Sequence, residues 1–483
     1  MMDEIELKLH LTEAAARAIE AAGVLPGKPR TLSQRSLYFD TPDRALAGAG
    51  LSLRIRETRG RRIQTVKGAD RGSAGIFARP EHEMPVPDDR PVLDDTTPVA
   101  RILGGKAFAL APVFALSVTR RIWVLEEGGA RIEAMIDRGR VTAADRQSPL
   151  CECELELVSG PPGALFAVAR RLGAVAPVKL GVLTKSERGH RLTGPLPVAV
   201  KAEDVALDRD MTAAQAFQRI VLSCLRQFRL NEDLLLATRT PEPLHQARVA
   251  LRRLRSAFTI FRPMLGASGT ALREELRWLA GTLGDARDLD VLLPRASAGP
   301  LQDRIRAARE AAYDGVAEAL GSEQARALML DLAEWTGGGD WLSDPETQAL
   351  RDSGAQDFAA TALSRFRRKV KKGGRDLSRL EDEARHELRK DAKKLRYAAE
   401  FFAPLFAGDW RKGRRRFGAA LADFQDHLGA LNDLAAAPLV LDRLGLADAL
   451  GAADLADAVD RAPLLAAAED AHRALVRAER YWT

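Results

Sequence analysis

The sequence predicts a multidomain α+β chain, with an N-terminal antiparallel β-barrel and a C-terminal all-α region made of a pair of pseudo-repeated helical bundles. Three observations predict it. Segments up to about residue 190 alternate apolar and polar residues between turn signals. From residue 211 that alternation gives way to long Ala/Leu/Arg/Glu stretches of helical period. Within this second part, one block of sequence occurs twice.

The first alternating segment sets Glu4, Glu6 and Lys8 between Ile5, Leu7 and Leu9. It is followed by "LSLRIRE" (51–57), "RIQTVKG" (62–68), "RPEHEMPV" (79–86), "SVTRRIWVL" (117–125), "ARIEAMIDRG" (130–139) and "CECELELVSG" (151–160). Helical stretches interrupt near 12–22 and 161–173. These limits give a first domain over 1–195, a linker over 196–210 and a helical domain over 211–480.

Each strand has one charged face. Glu4, Glu6 and Lys8 share one; Arg54 and Arg56 lie opposite Leu51, Leu53 and Ile55. Arg79, Glu81 and Glu83 follow, then Glu133 and Asp137, then Glu152, Glu154 and Glu156. Cys151 and Cys153 fall on the apolar side of the last strand and read as packing residues. Desolvation costs several kcal/mol per buried ion, so stability does not explain such an interior. Separate solvated faces with surface ion pairs would, but the pattern recurs in five segments. Charges of both signs suit an anionic ligand that brings a metal. Carboxylates hold Mg²⁺ or Mn²⁺, Arg and Lys hold phosphate oxygens, and a closed barrel supplies the interior.

Other chemistries are excluded. "GVLPGKP" (23–29) lacks the spacing of a phosphate-binding P-loop. Three cysteines, Cys151, Cys153 and Cys224, give neither a disulfide framework nor zinc spacing. No secretory signal or bilayer-length apolar run is visible, so the expected location is the cytoplasm, with no membrane partner. The net charge of +6 is clustered, as in "RFRRKVKK" (365–372) and "WRKGRRRFG" (410–418).

The motifs "EIELKL", "YFDTPD" (38–43), "LRIRE", "QTVKG", "RPEHE", "IEAMIDRG", "ELELVSG" and "TKSERGHRL" (184–192) resemble, in this order, the CYTH family of triphosphate tunnel metalloenzymes. The resemblance implies an eight-stranded antiparallel tunnel that hydrolyses a triphosphate with a divalent metal. It implies Glu4, Glu6, Glu154 and Glu156 as metal ligands. It implies Lys8, Arg54, Arg56, Lys67, Arg79, Arg120 and Lys185 as polyphosphate contacts, and Glu81 as organiser of the attacking water. Glu4, Glu6, Lys8 and Glu81 then form the catalytic set.

In the second part, "HQARVALRRLRSAFTIFRPML" (245–265) matches "HELRKDAKKLRYAAEFFAPLF" (386–406), and "LGDARDL" (283–289) echoes "LGALNDL" (428–434). Helical offsets of about 3, 7 and 10 residues keep His245, Arg248, Arg252 and Arg255 on one stripe, and His386, Arg389, Lys393 and Arg396 on another. Like charges so close point to a shared anion. The acidic Asp285, Asp288 and Asp433 read as helix caps or arginine partners. The whole pattern resembles the CHAD family, the conserved-histidine α-helical domain, and implies binding of inorganic polyphosphate.

The combined expectation is an inorganic triphosphatase, turning tripolyphosphate into pyrophosphate and phosphate, joined to a polyphosphate-binding module. The rivals are a non-catalytic polyphosphate-granule scaffold and an enzyme of organic triphosphates, an adenylate cyclase or thiamine triphosphatase. Nucleic acid is disfavoured, because aromatic residues are not interleaved with the basic ones.

Overall fold

The structure, a computed structural model, describes residues 4–68, 75–449, 452 and 461–482. It divides into two compact units, Met1–Val198 with Glu323–Glu334, and Ala199–Ser322 with Trp335–Thr483.

The first unit is built on one sheet of ten strands: β1 Glu4–His10, β2 Arg30–Asp40, β3 Ser52–Thr58, β4 Arg61–Lys67, β5 Ile76–Arg79, β6 Glu81–Val86, β7 Ala111–Glu127, β8 Ala130–Ala143, β9 Arg146–Ser159 and β10 Lys179–Leu180. The strand path is β10-β1-β9-β8-β7-β2-β3-β4-β6, with β5 paired to β1. Every pairing is antiparallel. Ten strands form where the sequence reading expected eight. Pro80 has no N–H to donate and divides one stretch into β5, which pairs with β1, and β6, which pairs with β4. The two-residue β10 adds to the flank of β1.

Alternation decides what each face meets. Leu7, Leu9, Cys153 and Leu155 are fully buried on one side of β1 and β9, covered by the helices Glu13–Ala21 and Gly163–Gly173. All three cysteines are free and buried, and burial pushes the Cys151 and Cys224 thiols up to about 11. That makes them packing groups rather than nucleophiles. The long β7–β8 hairpin turns through Gly128 and Gly129, both at positive φ, which a two-residue turn of matching twist requires.

The sequence reading placed no strand at β2. Its residues RTLSQRSLYFD alternate poorly, and the fully buried ones gather at its far end. Asp40, which ends it, accepts backbone N–H bonds from Thr41, Leu46 and Ala47. The acidic start of "DTPD" thus organises a turn.

The second unit is helical. Ala213–Thr238, Pro241–Ile260, Thr270–Leu292 and Pro300–Gly321 pack in succession. Ala355–Gly373, Asp382–Phe401, Arg411–Arg443 and Arg461–Arg477 repeat the arrangement. The two histidine-led helices, Pro241–Ile260 and Asp382–Phe401, pack against each other. Asn231 clamps Val200 at both its N–H (2.9 Å) and its carbonyl (2.8 Å), so the start of the linker is fastened to the helix Ala213–Thr238. No helix among the described residues is long and apolar enough to cross a membrane.

Candidate functional site

The charged faces of the first unit line one cavity of about 1080 Å³. Strands β1–β4 and β6–β9 all contribute to its wall. Antiparallel register sets its rows. Glu6 lies opposite Glu156, and Glu156 opposite Glu133, so three adjacent strands present three carboxylates side by side. In the next row Lys8 lies opposite Glu154 and Glu154 opposite Met135.

Glu154 is the hub of a buried ionic cluster. Its carboxylate is bound by Lys8, by Arg120 at 2.7 Å and by Lys185 at 2.7 Å. Burial alone would raise its pKa, but Lys185, Lys8 and Arg120 hold it well below the usual carboxylate range. Lys8 also meets Glu6 at 3.1 Å. Burial disfavours its charge, yet Glu154 and Glu6 keep its pKa above the ordinary lysine value. Arg120 grips Asp137 with two parallel bonds of 2.7 and 2.6 Å, the fork geometry of a guanidinium on a carboxylate.

Lys185 is the first residue of the helix Lys185–Leu192, whose start is fixed by a reciprocal capping box. Thr184 Oγ1 accepts the Glu187 N–H, and the Glu187 carboxylate accepts the Thr184 N–H. This places the ammonium among Asp137 (2.8 Å), Glu152 (2.6 Å) and Glu154 (2.7 Å). Burial opposes its charge, but those carboxylates outweigh burial and raise its pKa.

The opposite wall is more open. Glu81 binds Lys67 at 2.6 Å and approaches Arg54 at 3.8 Å, and Arg56 binds Glu83 at 3.0 Å. Burial and then the neighbouring Arg54 lower the Arg56 pKa, against the pull of Glu83 and Glu81. Glu4 and Arg79 are partners in the β1–β5 register, but their side chains lie outside the described residues. Arg120 lines the cavity, whereas Arg121 points the other way, to Glu20 at 2.6 Å and over the Trp123 ring.

In the helical unit, His245, Arg248 and Arg252 share a pocket of about 340 Å³ with Arg389 and Lys393 from the other repeat. His386 lines a neighbouring pocket of about 470 Å³. Arg255 and Arg396 are exposed and line neither, and Arg396 turns to Glu400 at 2.7 Å. Asp285 pairs with Arg443 at 2.6 Å, and the Asp433 side chain lies outside the described residues.

Comparison with known proteins finds two families in the chain. Residues 2–189 match the CYTH domain and residues 219–442 the CHAD domain. The chain joins a CYTH domain to a CHAD domain. Its CHAD part resembles the crystal structure of the CHAD domain from the plant Ricinus communis. Identity is 33%, the TM-score is 0.50, and the match covers 58% of this chain and 97% of that one. An inorganic triphosphatase of Haemophilus influenzae is 29% identical over 204 residues, 40% of this chain and 55% of that protein. The match thus spans about half of that relative's length. An uncharacterized protein of Mycobacterium tuberculosis is 26% identical over 457 residues, 82% of each chain.

The CYTH cavity also contains residues that sequence reasoning missed. Arg30 and Tyr38 come from the unforeseen β2, Arg59 from the β3–β4 turn and Arg61 from the first position of β4. The basic run "RGRR" (59–62) was the available signal for the last two. In the CHAD unit, Arg287 and Arg295 join the His245 pocket from outside the repeated stripe.

The lining chemistry suits a hard divalent cation: carboxylates of Glu6, Glu133, Glu154 and Glu156 face the cavity, with neither thiolate nor imidazole beside them among the described residues. Among those residues, the carboxylates whose oxygens lie within 4.8 Å of one another are Asp137, Glu152 and Glu154, and Arg120 and Lys185 already engage that group.

Proposed function

We propose that the CYTH unit hydrolyses inorganic triphosphate to pyrophosphate and phosphate with Mg²⁺ or Mn²⁺, and that the CHAD unit binds polyphosphate. One observation carries the enzymatic part: a single cavity holds a row of carboxylates beside a wall of arginines and lysines. A pure anion binder would do better without the carboxylates. In this reading β5 and β6 count as one strand, β10 is an addition, and the sheet forms a tunnel of eight strands around the substrate.

Glu6, Glu156 and Glu133 would hold the cation together with Glu4. When bound, it would neutralise phosphate oxygens and make phosphorus more open to attack. Arg54, Arg56, Lys67, Arg79 and Arg120 take the remaining oxygens, with Lys8 and Lys185 at the buried end. Glu154 is a metal candidate whose carboxylate is already shared among Lys8, Arg120 and Lys185, so its first task is to hold those cations in place. Glu81, held by Lys67, accepts a hydrogen bond from the attacking water. That water forms the new P–O bond at the terminal phosphorus, the bond to pyrophosphate breaks, and the water's proton leaves to solvent. Positioning and charge neutralisation supply most of such catalysis.

The test is phosphate release from tripolyphosphate with Mg²⁺ or Mn²⁺, for the wild type and Glu4→Ala/Glu6→Ala. Metal-dependent turnover lost in the double variant supports the reading. No turnover by the wild type, with polyphosphate still bound, would replace it with a binding scaffold. Parallel assays on ATP and thiamine triphosphate separate the organic-substrate rivals.

A further inference from the structure

The two repeats of the helical unit surround their histidines differently. Aligned through "LGDARDL" and "LGALNDL", Arg287 and Asn432 occupy equivalent places. Asn432 Oδ1 lies 2.9 Å from His386 Nδ1, a hydrogen bond to an uncharged partner. The equivalent place beside His245 carries the guanidinium of Arg287.

The pockets differ in the same sense. Around His245 stand Arg248, Arg252, Arg287 and Arg295 from the first repeat, with Arg389 and Lys393 across from them and Asp288 as the lining carboxylate; Asp288 and Asn432 line both pockets. The His386 pocket is lined by the carboxylates of Asp288, Asp382 and Glu383, with Arg385 as the lining cation. Asp382 is also engaged by Arg385 and Arg461. A polyanion is attracted to the first pocket and repelled by the second.

We propose that the helical unit has one principal phosphate seat, the pocket of His245 and Arg287, rather than two equivalent seats, and that filling it transfers a proton from solvent to the His245 imidazole. The proposal rests on polyphosphate binding by this unit.

The proton follows from the surroundings. Burial first, then Arg287, Arg252 and Arg248, hold His245 below the ordinary histidine pKa, with Glu242 opposing them. Arg389 and Lys393 face the same pocket and add to that field, and Asp288 subtracts from it. The ring is therefore neutral at pH 7 before an anion arrives. A phosphate oxygen among these cations cancels their field and offers an acceptor, so the pKa is higher in the bound state. Binding then takes up a proton. It tightens as pH falls, and weakens as pH rises through the bound-state value.

The test is calorimetric titration of the full chain with polyphosphate of defined length in a chelator, at pH 7, in two buffers of different ionisation enthalpy. The tunnel unit is common to every variant, so differences report the helical unit. His245→Asn and Arg287→Asn are expected to weaken binding about tenfold or more, and His386→Asn less than about threefold. Arg287→Lys keeps the charge and is expected to recover most of the loss. The heat should depend on buffer in the wild type and not in His245→Asn. Thermal melts confirm that each variant is folded. Equal losses from the two histidine variants would overturn the single seat, and buffer-independent heat in the wild type would overturn the proton transfer. A wild type that binds no polyphosphate would instead remove the reading on which this one rests.

Discussion

Glu6 on β1 and Glu156 on β9 stand directly opposite each other, two carboxylates side by side in the cavity wall, and Glu133 on β8 extends the row. Like charges so placed destabilise a sheet by a few tenths to about 1 kcal/mol. Lys8 meets Glu6 at 3.1 Å at one end of the row, and a cation held there would offset the repulsion further. Glu133→Gln is expected to raise the thermal midpoint in chelator, because it removes one repulsion. The same variant should show less stabilisation by Mg²⁺ or Mn²⁺ and at least about tenfold lower turnover at limiting metal. Melting curves with and without metal, beside a metal titration of activity, check both halves.

Glu154 should behave in the opposite way. It is buried with three cations, and removing one partner of such a cluster costs about 3–5 kcal/mol. Its folded-state pKa is depressed, so its stabilising effect is complete above the ordinary glutamate range and fades as pH falls through the lower folded value. Urea unfolding of the wild type should lose stability on that acid side. Glu154→Gln should be weaker at pH 7 and flatter with pH below it. An unchanged acid limb would remove Glu154 as the hub.

Neighbouring arginines should separate cleanly. Arg120 faces the cavity with a two-bond grip on Asp137, while Arg121 pairs with Glu20 on the other face. Arg120→Ala is expected to lower turnover at least about a hundredfold. Arg121→Ala should change stability by about 1 kcal/mol or less and leave kcat near the wild-type value. Steady-state kinetics with a melt of each variant decides it.

Gly189 tests how Lys185 is positioned. A Cβ at Gly189 would come within 2.0 Å of the Phe114 ring, which is stacked on Tyr38 at 4.5 Å. Gly189→Ala must therefore shift either that stack or the helix that begins with Lys185. The expected cost is about 1–3 kcal/mol, with a raised KM for tripolyphosphate because Tyr38 and Lys185 both line the cavity. A normal melting temperature and normal KM would show that the ring moves aside freely.

Much of the fold was legible because strand alternation and helical period are local. Glu6, Lys8, Arg54, Arg56, Glu154 and Glu156 could be assigned to one polar face from spacing alone, and they line one cavity. β2 was not legible, since its alternation is poor and its place between β3 and β7 comes from pairing with partners distant in sequence. Arg30 and Tyr38 were missed with it.

The sequence by itself determined the order of the two domains, the charged faces and the duplication of the histidine stripe, because each is a regularity within a few neighbouring residues. Only the tertiary structure decided which charges meet. Register made Glu6, Glu156 and Glu133 one row and left Glu154 among Lys8, Arg120 and Lys185. Helix packing gave His245 an arginine neighbour where His386 has Asn432. The physical reason is that the strength of a charge depends on distance and burial, and neither is fixed until remote segments pack together.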